Sequence, residues 1–291
     1  MEKINIEEKR YWIWFSLIKG LGIKRKQKLL KIYKTPKKIY ELNKEELLKI
    51  KGIGIGTQIV NNILEEKTRK DVNKHISYME KNNIDIISII DKTYPQNLRN
   101  IYDPPISLYV KGNKNILNNK AIAIIGCRQA SEYGRKAAKY FGYNLSKSGA
   151  NIISGLAKGI DSYSHFGNIY ALLEKINLPK NNNSLNTDIN TDIENLNNYG
   201  KPIAVVGSGL DIVYPKENEN LEEKIGELGG AIISEYPLGT KVQKMHFPAR
   251  NRIISGMSNG VLVIEAKEKS GTLITVDFAL EQGRDVFVVP R

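Results

Sequence analysis

The chain has few of the residues on which many site chemistries depend. It carries one cysteine, Cys127, in 291 residues, which excludes an internal disulfide and any multi-cysteine metal site. Its three histidines, His75, His165 and His246, are too scattered to suggest a zinc cluster. No apolar run approaches the ~18 residues a membrane-spanning helix needs. The apolar stretch 12–18 stops at Lys19 without a small-residue cleavage site, so it is not read as a signal peptide. No Gly-x-Gly-x-x-Gly opens a helix after a strand and no Gly-x-x-x-x-Gly-Lys-Ser/Thr occurs, which argues against a bound dinucleotide and against phosphate-loop ATP hydrolysis. Acidic residues are outnumbered, 31 against 44 lysines and arginines, for a net charge of +13. The mixture is otherwise globular, 41% apolar and 26% charged, so wholesale disorder and fibrous repeats are out. These limits lead us to expect a soluble, cytoplasmic protein of about two domains with a polyanionic partner and no cofactor, metal or membrane.

The excess charge is not spread evenly. Residues 1–90 carry net +9 and residues 91–176 net +7, whereas residues 200–291 carry net −1. A basic portion beside a neutral one suits nucleic acid, because phosphate neutralisation releases counterions; a bias toward Lys, Asn and Ile would give the same excess without a partner.

Residues 1–80 read as a small all-α domain. Tyr11, Trp14, Phe15 and Ile18 fall on one face of a helix. The sequence Lys19-Gly20-Leu21-Gly22-Ile23 returns 32 residues later as Lys51-Gly52-Ile53-Gly54-Ile55, a weak internal repeat of helix, glycine hairpin and helix. It resembles the helix-hairpin-helix module. Gly52, Gly54 and Gly56 are candidates for a second DNA contact, since glycine permits close backbone approach and the next helix offers free N–H groups. The same glycines would also serve merely to turn a helical bundle or to form a protein interface.

From residue 81 onward short apolar strands alternate with helices. Strands are expected at 84–90, 106–110, 121–125, 151–153, 203–206, 231–234, 261–265 and 286–289, and helices near 132–147, 161–173, 218–228, 251–257 and 273–282. This alternation predicts an α/β fold: a Rossmann-like, open, mostly parallel sheet with helices on both faces, over 81–291. Residues 177–199, rich in Asn, Asp and Thr, read as a disordered low-complexity surface insertion, or at most a frayed helix.

In such a sheet ligands bind beyond the carboxyl ends of the strands. Four ends carry suggestive residues. Gly126-Cys127-Arg128 offers a tight turn and a guanidinium whose planar fork suits phosphate. Ser154-Gly155-Leu156-Ala157-Lys158-Gly159-Ile160-Asp161 offers small residues, one lysine and a helix-capping aspartate. Gly207-Ser208-Gly209 leads to Tyr214-Pro215-Lys216, and Arg250 and Arg252 sit near an expected helix start. Each has a plain reading as a strand-to-helix turn; converging, they predict an anion pocket. His165 is read as packed or surface rather than as a base. Cys127 is read as a small buried residue, although Arg128 beside it would favour a thiolate. Ser270-Gly271-Thr272 would cap a helix or bind phosphate.

Together these loops resemble the DNA-processing protein A family. The resemblance rests on Tyr94-Pro95, Gly126-Cys127-Arg128, the segment 154–161 with His165, Gly209-Leu210-Asp211 with Tyr214-Pro215, Ser234-Glu235, Phe247-Pro248 with 250–256, and Glu265-Ala266 with 270–275. It spans about residues 85–290, and the helical start fits the helix-hairpin-helix or SAM-like domain with which that family often begins. The resemblance implies a non-enzymatic recombination mediator that binds and protects single-stranded DNA, helps load the RecA recombinase during natural transformation, and dimerises through the Rossmann-like domain. Carried over residue by residue, it implies phosphate contacts by Gly126, Arg128 and Lys158 with their loop neighbours Ser154, Gly155 and Gly159, and weaker ones by Lys216, Arg250 and Arg252. Cys127 stands where the family usually has serine or another small residue. Arg291 ends the sequence where the family continues, so the end of the domain and a C-terminal winged helix are expected to be absent. The competing reading is a nucleotide-binding enzyme of the nucleoside-monophosphate phosphoribohydrolase type, with Glu265 and 270–272 around the nucleotide; the Pro-Gly-Gly run expected there is missing.

Overall fold

The architecture is that of a computed structural model, which describes residues 6–69, 71–177, 196–268 and 270–290. Six helices open the chain: α1 (Ile6–Leu17), α2 (Ile23–Tyr33), α3 (Pro36–Glu41), α4 (Lys44–Leu48), α5 (Thr57–Thr68) and α6 (Asp71–Lys81). Their starts follow local chemistry. Thr35 caps α3 ahead of a first-turn proline, and Asn43 with Glu46 forms a capping box on α4. The spacing of Tyr11, Trp14, Phe15 and Ile18 marks one buried face of α1, yet Trp12 and Ile13 are buried as well. The cause is position: α1 contacts α3, α5 and α6 and also strand β1 (Ile84–Ser88).

One eight-stranded sheet follows. Its strands are β1, β2 (Ser107–Gly112), β3 (Ala121–Gly126), β4 (Asn151–Ser154), β5 (Pro202–Val205), β6 (Ala231–Ser234), β7 (Gly260–Glu265) and β8 (Asp285–Val288), in the order β1-β2-β6-β5-β4-β3-β7-β8. β1, β2 and β6 pair antiparallel, and the six strands from β6 to β8 run parallel. The connecting helices are α7 (Gln96–Arg99), α8 (Glu132–Lys147), α9 (Ile160–Asn177), α10 (Glu219–Glu227), α11 (His246–Met257) and α12 (Gly271–Glu281). Alternation along β3 separates two layers. Ala123 and Ile125 join an apolar cluster with Ile253, Ile254 and Met257 of α11. Ile124 joins Ala138 of α8 and Ile160 of α9 on the opposite face.

The helical region is continuous with this body. A single apolar cluster contains Trp14, Phe15 and Leu29 together with Tyr109, Leu156 and Leu238. Polar links reinforce it: Lys9 and Lys114 both donate to the Asp85 carboxylate, Tyr109 and Ser16 share a hydroxyl contact at 2.7 Å, and Gln27 donates to the Pro104 carbonyl at 2.8 Å.

Most expected elements fall within a residue or two of their observed bounds. The exceptions are α9, which runs on to Asn177 rather than ending near 173, and α11, which begins at His246 rather than near 251. Pro248 sits in its first turn, where a missing N–H costs nothing. Most of the 177–199 insertion, residues 178–195, lies outside the described residues.

Candidate nucleic-acid interface

The chain passes from β3 through β4 and β5 to β6 on one side, then crosses to β7 on the other side of β3. The strand order therefore reverses between β3 and β7, and an open α/β sheet forms its crevice at the carboxyl ends of such a pair. The segment 126–128 stands at that reversal.

Two glycines bring this turn against the β4–α9 loop. A Cβ on Gly126 would lie 2.8 Å from the Ile160 Cβ and 2.9 Å from the Glu265 carbonyl oxygen. Gly159, at φ +82°, has the Arg128 carbonyl carbon 2.7 Å from where its Cβ would be. Side chains at either position would push the two loops apart. The Ile160 N–H donates to the Cys127 carbonyl at 3.2 Å, closing the junction.

Arg128 emerges from the junction exposed, with its guanidinium 5.1 Å from the centre of the Phe247 ring. Among the described residues it has no carboxylate partner. Phe247 lies 5.6 Å from the half-exposed ring of Tyr214, and its neighbour His246 stacks on Tyr236 at 4.1 Å. These aromatics were not identifiable from spacing: Phe247 stands in a helix first turn and Tyr214 in a loop some 30 residues away, and only the fold joins them.

Lys158, on the neighbouring loop, is also exposed. It pairs with Glu217, whose acidity it increases by hydrogen bonding. Lys216 is more exposed still and lies 3.6 Å from Glu219. Both pairs are solvent-accessible, so each is weak and opens readily to an incoming phosphate.

The remaining expected residues lie beneath this surface. The Ser154 hydroxyl donates to the Ile124 carbonyl at 2.7 Å, and the Gly155 N–H donates to the Asp161 carboxylate at 3.1 Å. Gly155 is required by crowding, since a Cβ there would lie 2.6 Å from both Arg250 Nη2 and Asp161 Oδ2. Arg250 is buried, and its Nη1 donates to the Val205 carbonyl. Burial lowers its pKa to about 10 against the opposing field of Asp161, with Arg128 lowering it further; burial likewise raises Asp161. Arg250 thus lies below the crevice floor with Asp161 as its counter-charge.

Arg252 corrects the sequence expectation of a phosphate contact. Its guanidinium is bidentate to Glu235, at 3.0 and 2.6 Å, and its Nε donates to Asp103 at 3.1 Å. With 5% of the side chain exposed, it ties α11 to two loops. The earlier start of α11 explains this, because Arg252 sits in the second turn and points into the body.

The chemistry proposed by other readings is placed differently. Glu265 Oε2 accepts the Ser131 N–H at 2.9 Å, at the start of α8, and lies where a Cβ on Gly134 would go. The Cys127 thiol is buried and pushed up by burial and by Glu265, the opposite of an activated nucleophile. His165 is buried without a hydrogen-bond partner among the described residues, and burial lowers its pKa to about 3. Ser270 precedes α12 but makes no side-chain cap bond. Among the described residues no group of three or more His, Cys, Asp or Glu is placed to hold a metal ion, and no helix is long and apolar enough to cross a membrane.

The two glycine hairpins pack against each other within the helical region. Lys28 reaches the Gly52 carbonyl at 3.4 Å, Asn62 donates to the Lys19 carbonyl at 2.9 Å, and Gly54 lies beside Arg25. Gly52 and Gly54 have φ of +77° and +72°, and Gly56 begins α5 with no side-chain cap.

The profile of the family described as "DNA recombination-mediator protein A" matches residues 85–178 and 184–291. The chain is 41% identical over 203 residues to the DNA processing protein DprA of Streptococcus pneumoniae, covering 70% of this chain and 62% of that protein. It is 40% identical to DNA processing protein DprA of Bacillus subtilis, covering 71% and 61%, and 32% identical to Protein Smf of a Synechocystis strain, covering 98% and 65%. The chain thus spans less than two thirds of the length of these relatives. The solved structure of DNA processing protein A from Streptococcus pneumoniae superposes with a TM-score of 0.72 at 32% identity, covering all of this chain and 88% of that one. The structure of its counterpart from Helicobacter pylori, described for a single-stranded DNA binding mode, superposes with a TM-score of 0.55 at 26% identity, covering 72% and 81%.

Proposed function

Since the chain belongs to the DNA recombination-mediator protein A family, we propose that it binds single-stranded DNA in the crevice at the carboxyl ends of β3 and β7, on the side lined by the loop after β4. Arg128 carries this reading. It is an exposed guanidinium with no carboxylate partner among the described residues, fixed against an aromatic ring at the reversal point of the sheet. Arg128 and Lys158 neutralise phosphates, with Lys158 releasing Glu217 as it does so. Arg250 and Asp161 brace the loop beneath, and Phe247 and Tyr214 offer ring faces to unpaired bases, which a duplex cannot present. On this reading the protein is a cytoplasmic homodimer with no catalytic role. It shields the strand and passes it to a RecA recombinase during natural transformation.

The test is fluorescence anisotropy of labelled single- and double-stranded oligonucleotides at two salt concentrations. Arg128→Ala and Lys158→Ala should each weaken single-strand binding irrespective of sequence. Each should also flatten the dependence of log K on log salt by about 0.7, the contribution of one phosphate contact on a single strand. Variants that bind as the parent does, or a parent that binds duplex equally well, would refute the crevice as the site.

A further inference from the structure

The α8–α9 face carries a feature that the crevice does not explain. Among the described side chains of α9 only Phe166, Tyr170, Leu173 and Lys175 are exposed. Three of the four are apolar, where a surface helix ordinarily carries charge. Phe166 is 42% exposed, Tyr170 63%, and Tyr140 on the adjoining α8 64%.

The two helices run side by side in the same direction. Arg135 lies over Tyr163, Tyr143 beside Tyr170, and Lys147 near Glu174, so the pairs advance together along both helices. Cations sit over the half-buried rings between them, Tyr163 and Tyr143. Arg135 and Lys139 sit 5.8 and 5.3 Å from the Tyr163 ring centre, and Lys147 sits 4.9 Å from that of Tyr143. The facing acids are Glu132, paired with Lys136, and Glu174, which accepts from the Tyr143 hydroxyl. Arg135 and Lys139 have no carboxylate partner among the described residues.

This strip begins at the crevice. α8 starts four residues after Arg128, α9 starts at the Ile160–Cys127 junction, and Arg135 folds back to the Ala130 carbonyl at 3.1 Å. Over the 16 residues of α8 it extends about 24 Å, room for about seven nucleotides at stacked spacing.

We propose that the α8–α9 face is a stacking track that receives the single strand as it leaves the crevice. Bases lie on Phe166, Tyr170 and Tyr140, and phosphates face Arg135 and Lys139. Exposed rings and unpaired cations in continuity with a phosphate-binding crevice fit a single strand, because every base has a ring face and every linkage a charge. The proposal rests on the single-strand reading of the crevice.

The experiment compares two thymidine oligomers, one of about six nucleotides that fills only the crevice and one of about twenty that also covers the track. The parent should bind the long oligomer more tightly by more than the statistical gain in sites. The triple variant Tyr140→Ala/Phe166→Ala/Tyr170→Ala should lose about tenfold or more on the long oligomer, the value of roughly one base–ring stack, and nothing on the short one. Tyr140→Phe/Tyr170→Phe should retain the parent's affinity, since the ring remains. Melting temperatures of all variants, read alongside, guard against misfolding. Arg128→Ala tests the crevice separately, by its effect on the short oligomer. Equal affinity of parent and triple variant for the long oligomer would overturn the track. So would equal loss on both lengths, or a loss of self-association with DNA binding intact; the last would make the face a contact between copies of the protein.

Discussion

At the residue scale, burial decides which charges are available to a ligand. Arg128, Arg250 and Arg252 stand within one region of sequence expectation, yet one is exposed on a ring, one lies under the crevice floor and one is clamped by Glu235 and Asp103. Residue type and loop position identified the region, and the family resemblance placed Arg128 ahead of the other two; neither separated Arg250 from Arg252, because that depends on where carboxylates distant in sequence arrive. His165 shows the same dependence in a titratable group. Its folded pKa of about 3 lies well below the ordinary 6.5, so between these values the unfolded chain binds a proton that the folded one excludes. Stability from this residue is complete above pH 6.5 and falls as the pH drops toward 3, by an amount on the order of a few kcal/mol. Urea titrations at several pH values should show this decline, and His165→Asn should flatten its slope whatever that substitution does to stability at neutral pH. An unchanged slope would place the acid sensitivity in other groups.

At the element scale, α8 and α9 meet through glycine. A Cβ on Gly167 would lie 2.8 and 2.9 Å from backbone atoms of Lys139, and one on Gly142 would lie 3.1 Å from the Ser164 carbonyl carbon. Backbone cannot move aside as a flexible side chain does, so Gly167→Ala should force the helices apart and cost about 1–3 kcal/mol, measured as a lowered urea midpoint at unchanged slope. A midpoint within error of the parent would mean that the helices separate freely. The strands and helices of this region were legible because their apolar periods are unbroken and their caps are local, as at Ser131, which accepts the Gly134 N–H at 3.0 Å. The start of α11 was not, since Pro248 reads as a stop unless its place in the first turn is known. The aromatic strip was not legible either: Tyr140, Phe166 and Tyr170 look like ordinary core formers in sequence. Only the tight packing of the two helices shows that they face outward.

At the scale of the whole molecule, the change from helical to strand periodicity drew a boundary near residue 80, between a helical part and the sheet. The apolar contacts do not stop there, because Trp14, Phe15 and Leu29 share a cluster with Tyr109, Leu156 and Leu238. Periodicity identifies a helix's apolar face but not the element that covers it, so two separable domains and one shared core look alike in sequence. They differ in unfolding. Both tryptophans of the chain, Trp12 and Trp14, lie in α1 and are buried, so indole fluorescence reports on the helical part, whereas far-ultraviolet circular dichroism reports on every helix and strand. A shared core makes the two signals change at one denaturant concentration, with a common slope reflecting the surface of the whole chain. An earlier fluorescence transition would mean that the helices detach before the sheet unfolds, and that the hydroxyl contact of Ser16 with Tyr109 and the paired lysines on Asp85 join two units rather than complete one.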